Sequence, residues 1–349
     1  MAGTSRTGVG VAGAGIGLAL GAAFGVFLLS PNIPGGTEAL GSGDTVAASE
    51  HESLAQQQQR AQRMANAADE VVAASGQDII NGVLEDDPVL VLATADADDD
   101  AVEKLRASLN RAGAIDSGLI EFSEKFFSQD GADELKTIVS NTLPAGTELS
   151  ESERDPGTHA GQALGAALTF AEGTDTPNST TEDRGSLLEA LAAADYLDYE
   201  TGTILPGQAI VLVTGDGTAA PGGEFAAKSQ AAFARALDVA GGATVVAGHG
   251  AAAESKGVLA QLRDDEDAAA TVSTVDAIDQ TWGRLATVLA VAEQLEQGSG
   301  AYGYAENADA VMPENAVQDA DTDTDADSAN AESEDAEAEQ AEAGRSENE

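Results

Sequence analysis

The sequence predicts an α/β fold, a three-layer domain on a parallel sheet, preceded by one transmembrane helix and a helical, coiled-coil-like neck. Three observations predict it. From Gly8 to Leu29, "GVGVAGAGIGLALGAAFGVFLL" holds only apolar residues and glycine. From about Thr45 to Ser75 the chain has no Pro or Gly. Beyond that, continuous apolar runs of strand length, "PVLVLAT" and "QAIVLVTG", alternate with helical patterns, as strands buried on both faces do.

The elements follow in order. Gly8, Gly10 and Gly13 fit the G-x-G-x-x-G dinucleotide fingerprint, but only "MAGTSRT" precedes them, so no strand delivers the chain into the turn that such a site needs. As a helix the apolar stretch is about 33 Å long, enough to cross a hydrocarbon core. Its length, and Pro31 where a small-residue cleavage site would fall, favour an uncleaved anchor over a signal peptide. Arg6 lies before the span and Glu38, Asp44 and Glu50 after it, so the amino terminus is expected in the cytoplasm and the main domain outside, in the cell envelope. Gly13, Gly17, Gly21 and Gly25 recur every fourth residue, a face where a second helix can approach closely; in a Gly/Ala-rich span such spacing also arises by chance.

Residues 1–7 thus form a short cytoplasmic start, 8–30 the membrane helix and 31–44 a Pro/Gly-rich linker. Residues 45–82 form the neck, with Leu54, Ala61 and Ala68 in one heptad row and Gln57, Met64 and Val71 in another. A polar Gln57 layer and small alanines make this a weak seam, and a single amphipathic helix resting on its own domain is the other reading. Membrane helix and neck together point to a homodimer.

The α/β domain is expected over 83–304. Strands are read at Pro88–Thr94, Gly118–Ser123, within Gln208–Gly217, at Ala243–Gly250 and at Thr271–Val275. Helices are read at about Asp98–Gly113, Ala132–Thr142, Ala160–Ala171, Thr181–Ala194, Gly223–Gly242, Glu254–Arg263 and Thr281–Gln297. The blocks "VLVLAT…AVEKLRASLNRAGA" and "IVLVTG…AAFARALDVAGGA" share the order strand, loop, helix, glycine, strand; internal duplication is one reading and convergence on a common pattern the other. Residues 305–349 carry 16 acidic residues against the single base Arg345, a composition that cannot bury a core and predicts a disordered acidic tail.

The whole chain, 349 residues with 61 acidic and 16 basic, has a formal charge of −45, which argues against nucleic acid as a partner. It has no cysteine, and its three histidines, His51, His159 and His249, are far apart in sequence. No His/Met cluster of the kind that binds copper is present, so copper is a conceivable ligand without a ligand motif.

Ligands of α/β proteins bind beyond the carboxyl ends of the strands, which singles out "TADADDD" (Thr94–Asp100), "TGDGTAAPGG" (Thr214–Gly223) and "GHGAAAES" (Gly248–Ser255). Asp96, Asp98, Asp99 and Asp100 are of the type that holds a hard cation, although aspartates at a helix start also complement its dipole. Asp216, between glycines, reads as a turn residue before an acid catalyst. His249 is the best-placed histidine, yet no second ligand stands at a spacing that brings it close. Asp321, Asp323, Asp325 and Glu332 match a calcium loop in part, but Ala326 stands where the turn needs glycine. No G-x-S-x-G, P-loop or H-E-x-x-H pattern occurs, so no catalytic, cofactor or metal residue is assigned and no enzyme is expected.

"LALGAAFGVFLLS", "NTLPAGTEL", "THAGQALGAALTF", and above all "TVSTVDAIDQTWGRLATVLAVAEQL" with "GAYGYA", are similar to the actinobacterial copper-transport outer-membrane protein family, over roughly Gly15 to Ala305. The resemblance implies a role in keeping intracellular copper low. Corynebacterial members also resemble a cell-separation factor, which implies the alternative of a non-enzymatic septal peptidoglycan role through an envelope or divisome partner. One membrane helix and an α/β domain do not make the transmembrane β-barrel that an outer-membrane channel needs.

Overall fold

The computed structural model describes residues 56–313, apart from residues 58, 62, 66, 68, 73–75, 77, 172–173, 175, 217–221 and 255. The predicted membrane helix, the linker and most of the acidic tail lie outside the described residues. Among the described residues no helix is long and apolar enough to cross a membrane.

The chain divides between Ser75 and Gly76 into two units. In the first, every described position from 56 to 72 is helical, with Arg63 Nε donating to the Gln59 carbonyl at 3.1 Å. The second unit holds the sheet, and Ile80 and Leu84, read as neck and domain start, are buried in it.

Seven strands form one open sheet in the order β3-β2-β1-β4-β5-β6-β7. They are β1 (Pro88–Ala93), β2 (Ile115–Phe122), β3 (Leu197–Tyr199), β4 (Ala209–Val213), β5 (Ala243–Ala247), β6 (Ser273–Val275) and β7 (Ala301–Tyr302). The helices are α1 (Asp99–Arg111), α2 (Ala132–Asn141), α3 (Pro156–Leu168), α4 (Thr181–Ala193), α5 (Gly223–Val239), α6 (Val258–Asp264), α7 (Glu266–Ala269) and α8 (Thr281–Leu295). Every pairing is parallel except β2 with β3, so the expected parallel sheet has one antiparallel edge. Strands β3 and β7 lie outside the strands read from the sequence: unlike the fully buried β6, these short edge strands are only partly buried and carry no continuous apolar run.

Alternation along the strands assigns the two layers. Leu90, Leu92, Ile120, Phe122, Ile210, Leu212 and Val246 join the core beneath α3 and α5, together with an aromatic cluster. In that cluster the Phe122 ring centroid lies 4.2 Å from Phe126 and 5.4 Å from Phe233. Val89, Val91, Val211 and Val245 are buried outside this cluster and so face the other layer, where α1 packs with α8. The two similar blocks are both present, as β1-α1-β2 and β4-α5-β5. They wind outward from the adjacent pair β1 and β4, which places a topological switch point at the centre of the sheet.

Strand β2 begins at Ile115 rather than Gly118, because its pairing with β1 shifts register between Val89 and Val91. Gly118, at φ +110°, carries that irregularity, and the bend hid the strand's start from its apolar pattern. Helix α3 begins four residues before the expected Ala160: Pro156 takes the first turn and the Asp155 side chain accepts from Thr158 N. Along α3, Gly157, Gly161 and Gly165 let α5 come close; a Cβ on them would lie 2.1 Å from Ser229 O, 2.5 Å from Phe233 O and 2.5 Å from Ala240 Cβ.

Candidate functional site

Backbone hydrogen bonds carry the ladder one step past the strands and align their exits. Thr94 N donates to Val213 O at 2.9 Å, Thr214 N to Ala247 O at 2.9 Å, Gly248 N to Val275 O at 2.8 Å and Asp276 N to Tyr302 O at 3.1 Å. The three loops singled out in the sequence therefore leave one edge of the sheet side by side. At the switch point they touch: a Cβ on Gly215 would lie 2.0 Å from Asp96 O and 2.7 Å from Asp96 Oδ2, so only glycine fits.

The aspartates after β1 separate into different tasks. Asp98 caps α1, accepting from Ala101 N at 2.9 Å, and Asp100 pairs with Lys104 at 2.5 Å. Asp96 Oδ1 accepts from Thr94 Oγ1 at 2.6 Å, while its Oδ2 is buried without a partner. Among the described residues no three His, Cys, Asp or Glu side chains are grouped so as to hold a metal ion, so these four aspartates form no cation loop.

His249 has a hydrogen-bond partner that its position in the sequence does not show. Its Nδ1 lies 2.9 Å from Asp216 Oδ1, because β4 and β5 are neighbours and their exit loops meet. In the neutral ring the bridging proton sits on Nδ1 and leaves the lone pair on Nε2, which is buried without a partner. Tyr304 closes this side: its hydroxyl lies where a Cβ on Gly250 would be, and its ring meets Trp282 edge-on at 6.4 Å between centroids. Burial first, then the charges of Asp279, Asp276, Glu254 and Asp216, push the Tyr304 hydroxyl's pKa up.

The long motif after β6 is spent on fixing the chain. Asp276 is fully buried and pairs with Arg263, whose Nη1 lies 2.9 Å from Asp276 Oδ2. Arg263 also donates to Thr274 Oγ1, Asn307 Oδ1 and Tyr302 O, each at 2.9 Å. Asp276 Oδ1 accepts from Tyr304 N at 2.8 Å. Gly303, at φ +139°, is required here, since a Cβ would fall 2.1 Å from Asp276 Cγ. Gly283 lets α8 start against Ala277 O, and Arg284 donates to Ile278 O and Asp279 O, both at 3.0 Å. "VDAIDQTWGR" and "GAYGYA" are thus the two halves of one buried lock.

Of the proposed association residues, Gly13, Gly17, Gly21, Gly25 and Leu54 lie outside the described residues, as does Ala68. Met64 and Val71 are 55% and 59% exposed, Gln57 is exposed and Ala61 half-buried. A groove between the turn at 145–148 and helices α3 and α5 is lined by Gln162, Asn178 and Val239, but no orphaned polar atom faces it.

A family model described as "Copper transport outer membrane protein, MctB" matches residues 6–313. The protein named copper transporter MctB in Mycobacterium tuberculosis strain H37Rv is 32% identical over 249 residues, 70% of this chain and 79% of its own. The protein of the same name in Mycobacterium leprae is 30% identical over 239 residues, 67% of this chain and 75% of its own. These names refer to copper transport and not to cell separation. With a family match over nearly the whole chain, the lock at Asp276 within it, and relatives at this identity, the chain belongs to the MctB copper-transport outer membrane protein family.

Proposed function

We propose that this chain is a non-enzymatic copper-homeostasis protein of the cell envelope that helps keep intracellular copper low. Its membership of the MctB family carries the reading. The amino-terminal span anchors it, with the amino terminus cytoplasmic and the α/β domain outside, and the glycine face and neck join two copies. The open sheet, covered by helices on both faces, suits a domain that binds or docks and does not form the wall of a pore. The test is a deletion strain grown in graded copper, with cell-associated copper measured. Copper sensitivity and accumulation, both reversed by the gene, are expected; normal growth in excess copper with no accumulation would sink the reading.

A further inference from the structure

The buried lock holds one side chain where the fold itself makes little use of it. Tyr304 is 50% exposed, and among the described residues it is the one aromatic residue that the fold leaves exposed. Asp276, paired with Arg263, accepts from the amides of Tyr304 at 2.8 Å and Ala305 at 3.4 Å. Only glycine fits at Gly303 beside the ring, and only glycine fits at Gly250, on which the hydroxyl rests. A buried ion pair seldom adds stability over apolar packing, so what this one secures is a geometry. With the hydroxyl seated and half the residue exposed, solvent meets the body of the ring, and Trp282 stands edge-on beside it. Aromatic side chains fixed in this way at a surface are what binding hot spots are made of.

The charges around this ring decide what can cover it. Asp216, Glu254 and Asp279 are all exposed, and the charge of each reaches the Tyr304 hydroxyl. The nearby cations are committed elsewhere, Lys256 to Glu224 and Arg263 to Asp276. An apolar partner would strand these carboxylates as it covered the ring, and desolvating unpaired charges is costly. A second copy of this chain, with 61 acidic residues against 16 basic, has no excess of cations to offer. We infer that Tyr304 and Trp282 form a docking surface for an arginine-bearing segment of a partner protein, with the guanidinium stacked on the Tyr304 ring and paired to the carboxylates around it. Arginine fits better than lysine, because its planar group stacks on a ring while its fork meets a carboxylate in two bonds. The inference does not rest on the copper reading above.

The test titrates an end-blocked Gly-Arg-Gly-Arg-Gly peptide into the purified full chain in neutral detergent, at about 0.15 M salt so that diffuse attraction is screened. Trp282 is the only tryptophan, so its fluorescence reports on this surface. Saturable binding that changes the Trp282 signal is expected. Tyr304→Leu should weaken it about 5- to 30-fold and Asp279→Asn about 2- to 5-fold, whereas Asp198→Asn, on the far edge strand β3, should leave it unchanged. Tyr304→Phe keeps the ring and should bind like the wild type, which separates the role of the ring from a loss of fold. Circular dichroism checks each fold; should Tyr304→Leu not fold, Asp279→Asn combined with Glu254→Gln takes its place. Unchanged binding by Tyr304→Leu, equal binding of a peptide with citrulline for arginine, or no saturable binding by the wild type overturns the inference. A lysine peptide should bind more weakly, and equal binding would overturn the assignment to a guanidinium.

Discussion

Replacing Gly161 by alanine tests the packing of α3 on α5, the contact that supports the whole second layer. A Cβ at Gly161 would stand 2.5 Å from Phe233 O and 2.7 Å from Ala236 Cβ. One neighbour is backbone and neither is the end of a flexible side chain, so the helices must part by about 1 Å to recover ordinary contact. Overpacking costs about 1–3 kcal/mol, and with backbone as the nearest neighbour this one falls in the upper part of that range, about 2–3 kcal/mol; alanine regains about 0.8–1 kcal/mol in helix propensity, so the net loss is about 1–2 kcal/mol. At about 2–4 °C per kcal/mol for a domain of this size, Tm should fall by about 2–8 °C. Gly185 in α4 has nothing within 4 Å of its Cβ position. There the same substitution keeps only the propensity gain and should raise Tm by about 2–4 °C. Thermal unfolding of both variants, followed at 222 nm by circular dichroism, measures the two signs. If Gly161→Ala were as stable as the wild type, or if both variants moved alike, the close approach of α3 and α5 would be refuted.

Arg263→Met leaves Asp276 buried without its cation, and breaking a buried pair costs about 3–5 kcal/mol. Asp276→Asn keeps an oxygen for Tyr304 N and should lose less by urea denaturation; equal losses would argue that the ion pair is not the lock. Burial pushes Asp238 up to about 6, against hydrogen bonds from Thr271 and the Thr244 backbone, from an ordinary value of 3.8. The folded state therefore holds this proton more tightly than the unfolded chain, and stability is lost as pH rises from about 4 to about 6 and is then level. Asp238→Asn should accordingly be more stable than the wild type at pH 7, with the gap closing by about pH 4; a gap constant with pH would contradict this. In a membrane-helix association reporter, Gly17→Ile with Gly21→Ile should abolish the signal, and an unchanged signal would refute the proposed association through the glycine face.

The sequence by itself determined the fold class, every helix of the α/β domain but the four-residue α7, and the strands β1, β2, β4, β5 and β6, because buried strands and amphipathic helices must write their environment into their periodicity. It also determined the family, through a long motif whose residues are each committed: Asp276 to Arg263, Gly283 to the Ala277 carbonyl, Gly303 to Asp276. Other features were decided by tertiary structure alone. The edge strands β3 and β7 exist only because β2 and β6 offer them hydrogen bonds. The spacing of Gly157, Gly161 and Gly165 on α3 acquired meaning only once α5 lay against it. His249 and Asp216 are distant in sequence and became partners because β4 and β5 are adjacent in the sheet. Strand order is a choice among long-range pairings that local sequence does not encode, and the candidate site is built from the loops which that order brings together.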